Sequence, residues 1–198
     1  MFPTKIYHYS LKPIKKLSQD YNIEYKEKRP DIFKPFGFWV SIEDFEGDQT
    51  WATWCEGEKF RLEALKYKYL INLKKKGKFL YLKTTDELVE FSLKYRSEDP
   101  YWKSEPIVPG ILPYIHIIDW KKLEQEYDGM FIAPYQWSCR LMNPSTTWYY
   151  PWDCASGCIW NVDSIKSIEL EFPKEETPEC QVEGNEKDLH TISEARQE

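Results

Sequence analysis

The chain has 198 residues, a length that suits a single domain with one well-buried core. Its 33 acidic residues outnumber the 27 lysine and arginine residues, and the formal net charge of -6 disfavours a general attraction to nucleic acid backbones or anionic membranes. No apolar run approaches the roughly 20 residues of a membrane-spanning helix. Aromatic residues make up 17% of the chain, more than such a core needs, so some are expected to line a ligand cleft.

The first part of the chain reads as strands joined by polar segments. Residues 4–10 and the run FGFWVS predict two strands, and TWATWCEGEKFRLEAL predicts a short helix or loop. The alternating runs YKYLINL and GKFLYLKT, joined by the basic turn KKKG, predict a hairpin. The lysines of this turn are interpreted as solvated, and not as a nucleic acid patch.

Two helices and three strands are predicted in the second part. TDELVEFSLKYR begins with the residues of a helix start, and DWKKLEQEYDG predicts a helix that ends at Gly129. MFIAPY, CIWNV and SIELEF predict strands. Without βαβ alternation or a glycine-rich phosphate loop, we expect one α+β domain on antiparallel sheets over 1–172. Residues 173–198, acidic and poor in large apolar groups, predict a disordered tail.

The five cysteines predict a reducing compartment. Their number is odd, and the start of the chain lacks the basic and apolar regions of a secretion signal, so a cytoplasmic location with free thiols is expected. Cys154 and Cys158 have no second Cys or His pair nearby. The spacing does not favour a zinc site, and no metal is predicted.

Several short segments follow one another in an order that resembles a known family. YHYS carries His8 at the end of the first strand, GFWVS carries Gly37 and Trp39, and Trp51 follows. Later, YDG at 127–129 precedes SGCIWNVDSIKSIEL, an apolar strand, an Asn and a second strand. In order and spacing these segments resemble the ADP-ribosyltransferase fold, in the branch of diphtheria toxin and the poly(ADP-ribose) polymerases.

The resemblance implies a split antiparallel β-sandwich with a few short helices and a site for NAD. By it, His8 would hydrogen-bond the adenine-side ribose, backbone groups at Tyr9 would hold the carboxamide, and Ser10 would support the site. Trp39 and Trp51 would stack on the two faces of the nicotinamide, a grip that also favours the cationic ring. The implied cofactor-binding residues are His8, Tyr9, Ser10, Gly37, Trp39, Ser41 and Trp51.

One position departs from the family pattern, because Gly157 stands where the resemblance implies a catalytic glutamate. That glutamate binds a hydroxyl of the reacting ribose and stabilises the positive charge that develops as nicotinamide leaves. Three interpretations remain open: Asp153 reaches in from the loop with Ser156 as a neutral helper, the acceptor brings its own carboxylate, or the fold binds a nucleotide without chemistry. Taken alone, Asp153 could equally be a turn or cap residue.

The leading hypothesis is an NAD-dependent mono-ADP-ribosyltransferase, or an NAD glycohydrolase, that cleaves the nicotinamide–ribose bond. Its acceptor would be a macromolecule, and the acidity of the chain favours a protein over a nucleic acid. One alternative is a non-catalytic module that binds NAD, ADP-ribose or another nucleotide. Another is a protein-interaction domain that uses the aromatic loop 137–152 as its contact surface.

Several of these residues also have a purely structural interpretation. His8 at a strand end is commonly structural, and Trp51 and Trp54 could be a packing pair. His116 alternates with isoleucines and is interpreted as a half-exposed strand residue, not as a base. Asp128 in YDG is interpreted first as part of a turn that ends a helix.

Overall fold

The computed structural model describes residues 2–17, 33–98, 117–141 and 144–173. Two predictions fall outside these ranges: the strand position of His116, and the tail over 173–198, of which only Pro173 is described. Within the described ranges, no helix is long and apolar enough to cross a membrane. In these ranges the cysteines are Cys55, Cys139, Cys154 and Cys158, and all four are free and buried.

The described residues combine strands with short helices. The strands are β1 (Ile6–Ser10), β2 (Phe38–Ile42), β3 (Tyr67–Leu73), β4 (Phe79–Leu82), β5 (Gly129–Ile132), β6 (Ser156–Ile159) and β7 (Ile165–Pro173). The α-helices are α1 (Trp51–Glu58), α2 (Thr85–Lys94), α3 (Trp120–Glu126) and α4 (Trp137–Leu141). Three 3₁₀ segments are Leu62–Leu65, Pro144–Tyr149 and Val162–Ser164. The predicted α+β class is confirmed.

All these strands belong to one mixed sheet, in the order β4-β5-β6-β2-β1-β3-β7. Every pairing is antiparallel except that of β4 with β5. Because parallel neighbours need a crossover connection, the chain between them carries α2 and α3. The prediction of antiparallel sheets without a βαβ connection is therefore wrong at this edge. The strands hydrogen-bond into a single sheet, so the split sandwich implied by the resemblance is not confirmed.

β3 and β4 do not form the predicted hairpin. β3 pairs with β1 on one side and β7 on the other, whereas β4 lies at the opposite edge beside β5. The KKKG turn does form, since the Gly77 N–H donates to the Lys74 carbonyl at 3.0 Å. A turn signal marks where a strand ends but does not choose its partner. The prediction fails because β3 already has a neighbour on each side.

Both predicted helices form, and in each a side chain just before the first turn caps the helix. The Thr84 side chain accepts from the Glu87 N–H at 3.2 Å at the start of α2. Asp119 caps α3 in the same way, accepting from the Lys122 N–H at 3.1 Å. Gly129 opens β5 instead of ending α3, so the predicted helix end is too late.

The register of the sheet decides which side chains share a face. Residues directly opposite each other on antiparallel strands point to the same side, and successive residues alternate. Tyr7 and Ser156 both lie opposite Ser41, so all three point to the side of Trp39. This surface, the Trp39 face, carries Tyr7, Tyr9, Trp39, Ser41 and Ser156. The reverse surface, the His8 face, carries Ile6, His8, Phe38, Val40 and Gly157.

Helices cover the Trp39 face through a cluster of tryptophans. Trp148 is fully buried and packs against Phe91 of α2 and Trp120 of α3, with ring centroids 5.4 and 5.5 Å away. Trp152 packs edge-on against Trp148 at 5.9 Å and against Trp39 at 4.9 Å. The helices and the motif-bearing strands therefore share one continuous core.

Candidate functional site

His8 lies on the face opposite to the Trp39 side chain, although the two residues touch through the backbone. Its Nδ1 donates to the Trp39 carbonyl at 2.7 Å, and its ring stacks on Phe38 with centroids 4.2 Å apart. Burial lowers the pKa of the imidazole, outweighing the hydrogen bond to Trp39, which raises it. Ser10 also points to this side, and its Oγ donates to the Lys12 carbonyl at 2.8 Å. His8 therefore has the environment of a neutral structural residue.

A partly buried histidine whose pKa is lowered makes stability depend on pH in a defined direction. The unfolded chain takes up a proton near pH 6.5, whereas folded His8 does so only at lower pH. The unfolded state therefore binds more protons below that value, and the free energy of unfolding is expected to fall as pH drops from about 7 to about 5. Urea denaturation of wild type and His8→Gln checks this: the variant should lose less stability over the same interval, and equal losses would contradict it.

Trp39 is partly exposed at the edge of its face. Its ring contacts Trp152 at an interplanar angle of 67°, and the Lys34 ammonium lies 5.3 Å from the ring centroid. Trp152 is 1% exposed, and its indole N–H has no hydrogen-bond partner among the described residues. The Trp39 ring therefore has a cation beside it and packs against a tryptophan whose buried N–H is unsatisfied.

Two glycines of the predicted motifs allow close packing between strands. A Cβ at Gly37 would lie 2.5 Å from the Cys158 Sγ, and one at Gly157 would lie 2.3 Å from the Phe131 ring. The space beside Gly157 is thus filled, and it lies on the His8 face. Position 157 has no room for the catalytic glutamate, and the adjacent residue on the Trp39 face is Ser156.

Ser41 joins the Trp39 face to the start of α1. It is 2% exposed, and its Oγ accepts from the Trp51 N–H at 3.0 Å. A capping box of two threonines begins the helix at this point. The Trp51 ring stacks on Trp54, with centroids 5.3 Å apart, which agrees with the interpretation of a packing pair.

The two predicted catalytic residues bind protein partners. Asp153 Oδ1 pairs with Arg140 Nη2 at 2.8 Å, with the two side chains 19% and 21% exposed. Burial raises the pKa of Asp153, against the lowering effect of Lys34 and Arg140. Ser156 is 7% exposed, and its Oγ donates to the Cys154 carbonyl at 2.9 Å. Asp153 therefore has an ion-pair partner within the protein, and Ser156 has a hydrogen-bond partner within it.

Asp128 of the YDG segment lies in the bend just after α3 ends at Glu126, and its hydrogen bonds also connect strands. Its carboxylate accepts from the Lys78 N–H at 2.7 Å and from the side-chain amide of Asn161 at 2.6 Å. Its carbonyl oxygen also accepts from the Trp160 N–H at 3.1 Å. Asp128 thus ties the start of β4 and the end of β6 to the start of β5.

The aromatic loop 137–152, predicted as a contact surface, is largely interior. Among its described aromatic residues, Trp148, Tyr149 and Trp152 are buried. Trp137 and Tyr150 are 53% and 58% exposed. Only these two of its described aromatic side chains offer large surfaces to a partner.

An open cleft of about 840 Å³ lies between the end of β2, the start of α1 and the start of α4. This volume falls within the roughly 300–1,000 Å³ of small-molecule sites. Aromatic rings and carboxylates both line it: Tyr9, Glu43, Phe45, Asp48, Gln49 and Trp137 are among its residues. Of these, Tyr9 belongs to the predicted site.

Tyr9 and Glu43 belong to a polar cluster around Lys68. The Glu43 carboxylate accepts from the Tyr9 hydroxyl at 2.7 Å and from Lys68 Nζ at 2.9 Å. Lys68 Nζ lies 3.7 Å from Glu171 and 3.7 Å from the Tyr7 ring centroid. Burial, with the hydrogen bond to Glu171, raises the pKa of Tyr7 to about 12. Burial, with the bond to Glu43, also raises the pKa of Tyr9, so both hydroxyls stay protonated and donate.

Asp48 fixes the wall of the cleft nearest α4. Its carboxylate accepts from the backbone N–H groups of Tyr135 and Gln49, both at 2.9 Å. Burial raises the pKa of Asp48, against these two bonds, which lower it. Gln49 donates its side-chain amide to the Asp153 carbonyl, and the Tyr135 ring packs edge-on against Trp137 at 4.8 Å. Asp48 therefore connects the cleft to the segment that carries Asp153.

The predicted site residues are only partly brought together. Four of them lie on the Trp39 face: Tyr9, Trp39, Ser41 and Ser156. Trp51 is connected to this face by the hydrogen bond from its N–H to Ser41. His8 and Ser10 point to the other side. Asp153 reaches the cleft through the Gln49 amide, and its own carboxylate binds Arg140.

Sequence reasoning missed Glu43, Asp48 and Trp137. A signal for the first was available, because alternation along FWVSIE puts Glu43 on the same side as Trp39 and Ser41. Asp48 comes from an irregular segment and carried no comparable signal, whereas Trp137 opens α4 and was included only as part of the proposed contact loop 137–152. Within the described part of the chain, no three His, Cys, Asp or Glu side chains gather as ligands for a metal ion.

Comparison of the chain with protein-family models, with curated proteins and with solved structures finds no match.

Proposed function

We propose that the protein binds NAD in the cleft beside Tyr9 and breaks the bond between nicotinamide and ribose, passing ADP-ribose to water or to a macromolecular acceptor. The observation that carries this proposal is the position of the motif strands. β1, β2 and β6 are distant in sequence, yet they lie next to one another in the sheet, with β2 in the middle. Residues that carry the resemblance to ADP-ribosyltransferases are thereby joined in one structural unit.

The chemistry of the cleft also supports an electron-poor substrate. Tyr9 and Trp137 offer aromatic surfaces, and Glu43 and Asp48 offer carboxylates. Aromatic faces attract a cationic ring such as nicotinamide in NAD, and carboxylates stabilise the positive charge that develops on the ribose. In this proposal the aromatic walls of the cleft supply the stacking that the sequence assigned to Trp39 and Trp51. The acceptor is proposed to be a protein.

Incubation with labelled NAD tests the proposal. Wild-type protein is expected to release nicotinamide, and the ADP-ribose label should appear either free or on a macromolecule. Separate detection of nicotinamide, free ADP-ribose and bound label distinguishes glycohydrolase from transferase activity. Absence of nicotinamide release, with and without candidate protein acceptors, would rule out the catalytic proposal.

Two equally exposed aromatic residues provide a matched test of where NAD binds. Trp137 lines the cleft, whereas Tyr150 does not line it, and Arg140 lies 5.9 and 5.5 Å from their respective rings. Because stacking on an aromatic ring contributes about 1–3 kcal/mol, Trp137→Ala is expected to weaken NAD binding by about 5- to 150-fold. Tyr150→Ala should bind as wild type does. Calorimetric titration measures both, and equal losses in the two variants would refute this binding site.

A second candidate function is a binding module without catalysis. It is favoured by the filled space at Gly157 and by the pairing of Asp153 with Arg140, since neither position presents a free carboxylate. In that case the cleft would recognise NAD, ADP-ribose or a related nucleotide. Calorimetry with NAD and ADP-ribose separates the two functions, because binding without nicotinamide release identifies the module.

A further inference from the structure

Glu43 presents a carboxylate to the cleft from the end of β2. It follows Trp39 and Ser41 on the same side of the strand, and its side chain is 17% exposed. One oxygen accepts from the Tyr9 hydroxyl at 2.7 Å and the other from Lys68 at 2.9 Å. A carboxylate offers about four acceptor positions, so both oxygens can still bind a ligand hydroxyl.

The cluster around Glu43 keeps a negative charge although a lysine lies within it. Lys68 is shared, because its Nζ lies 2.9 Å from Glu43 and 3.7 Å from Glu171. Two carboxylates and one ammonium leave a formal charge of about -1 at neutral pH. The Lys68 ammonium also lies over the Tyr7 ring, 3.7 Å from its centroid. This cation–π contact restricts the motion of the lysine side chain. The excess negative charge is therefore fixed beside the cleft.

The two other described carboxylates near the cleft are less well placed to bind a ligand. Asp153 does not line the cleft, and its carboxylate pairs with Arg140 at 2.8 Å. Asp48 Oδ1 accepts from the N–H groups of Gln49 and Tyr135, and its Oδ2 also accepts from Tyr135. These bonds hold a loop in place and occupy most of the acceptor capacity of Asp48. Glu43 is the carboxylate that combines a cleft position with spare acceptor positions.

We infer that Glu43 is the catalytic carboxylate, which binds a hydroxyl of the reacting ribose and stabilises its positive charge. The inference rests on the proposed function. The bond between C1 of the ribose and the nicotinamide nitrogen breaks, and its electron pair leaves with nicotinamide, which becomes neutral. The sugar carries the positive charge until water or the acceptor donates an electron pair to C1 and releases a proton to solvent. Glu43 faces the charged sugar throughout.

Glu43→Gln and Glu171→Gln form a matched pair for testing this role. Each substitution removes one carboxylate from Lys68, but Glu171 does not line the cleft. Glu43→Gln is expected to lower kcat for nicotinamide release about 100-fold with little change in KM, as for the loss of an electrostatic group at a transition state. Glu171→Gln removes the same unit of charge from the cluster but not from the wall of the cleft, so its kcat is expected to fall by no more than about tenfold. Thermal unfolding should respond similarly in the two variants, because each loses one ion pair of the same lysine.

The outcomes separate this inference from the proposed function. Wild-type protein that releases no nicotinamide overturns both, whereas an active wild type with equal kcat values in the two glutamine variants overturns the inference alone. Should Glu43→Gln not fold, Tyr9→Phe replaces it as the test, because it removes the hydroxyl that orients Glu43 at 2.7 Å. That variant is expected to lose about three- to tenfold in kcat at an unchanged KM, and an unchanged kcat overturns the inference.

Discussion

Gly157→Glu is expected to prevent folding and to give no gain in activity, although the resemblance implies a glutamate at this position. A Cβ at position 157 would lie 2.3 Å from the Phe131 ring and 2.5 Å from the Met130 carbonyl oxygen. The carboxylate would also be placed inside the buried strand β6. Together the steric overlap and the buried charge are expected to cost more than about 4 kcal/mol. Circular dichroism and urea denaturation measure the result.

Milder substitutions make this prediction quantitative. Gly157→Ala introduces only the Cβ and is expected to lower the free energy of unfolding by about 1–3 kcal/mol. Gly57→Ala is the control, since a Cβ there meets nothing within 4 Å and position 57 lies in α1. It is expected to stabilise the protein by about 0.5–1 kcal/mol. A folded Gly157→Glu variant with faster nicotinamide release would show that the space beside β6 is open after all.

Trp148→Ala is expected to cost about 3–5 kcal/mol of stability, the range for removing a buried large aromatic side chain. Trp148 is fully buried, and its indole N–H donates to Ser92 Oγ at 2.7 Å. Its ring contacts α2 through Phe91 and α3 through Trp120. The substitution would leave both a cavity and a buried hydroxyl without its donor. The midpoint of urea denaturation gives the measurement.

Trp137→Ala is the control for this loss. The same residue type at position 137 is 53% exposed, so its removal is expected to change stability by no more than about 0.5 kcal/mol. The pair therefore separates the packing role of Trp148 from the ligand contact proposed for Trp137. A Trp148→Ala variant as stable as Trp137→Ala would contradict the described core.

The sequence identifies local elements of the fold better than it identifies their partners. The end groups of α2 are local, since Thr84 lies close to the N–H groups that it caps, and this helix is predicted correctly. The pairing of β3 with β1 and β7 depends on segments far apart in the chain. No local signal distinguishes that arrangement from a hairpin with β4, and the hairpin prediction therefore fails.

The candidate site is only partly predictable for a related reason. In a strand, a change of one residue moves a side chain to the other surface of the sheet. The motif comparison emphasised His8 and Gly157, whereas the register puts their neighbours Tyr9 and Ser156 on the Trp39 face. Glu43 could have been found from its alternation with Trp39. The link between Asp48 and Tyr135 depends on tertiary packing, and short-range patterns do not carry it.

The place of β6 in the sheet decides when the sheet can be completed during synthesis of the chain. β6 lies between β5 and β2, so it alone joins the pair β4-β5 to the group β2-β1-β3 by hydrogen bonds between strands. During translation the ribosome must deliver residues 156–159 before these two parts can unite. Until then each part exposes an open strand edge, the kind of surface through which incomplete chains aggregate.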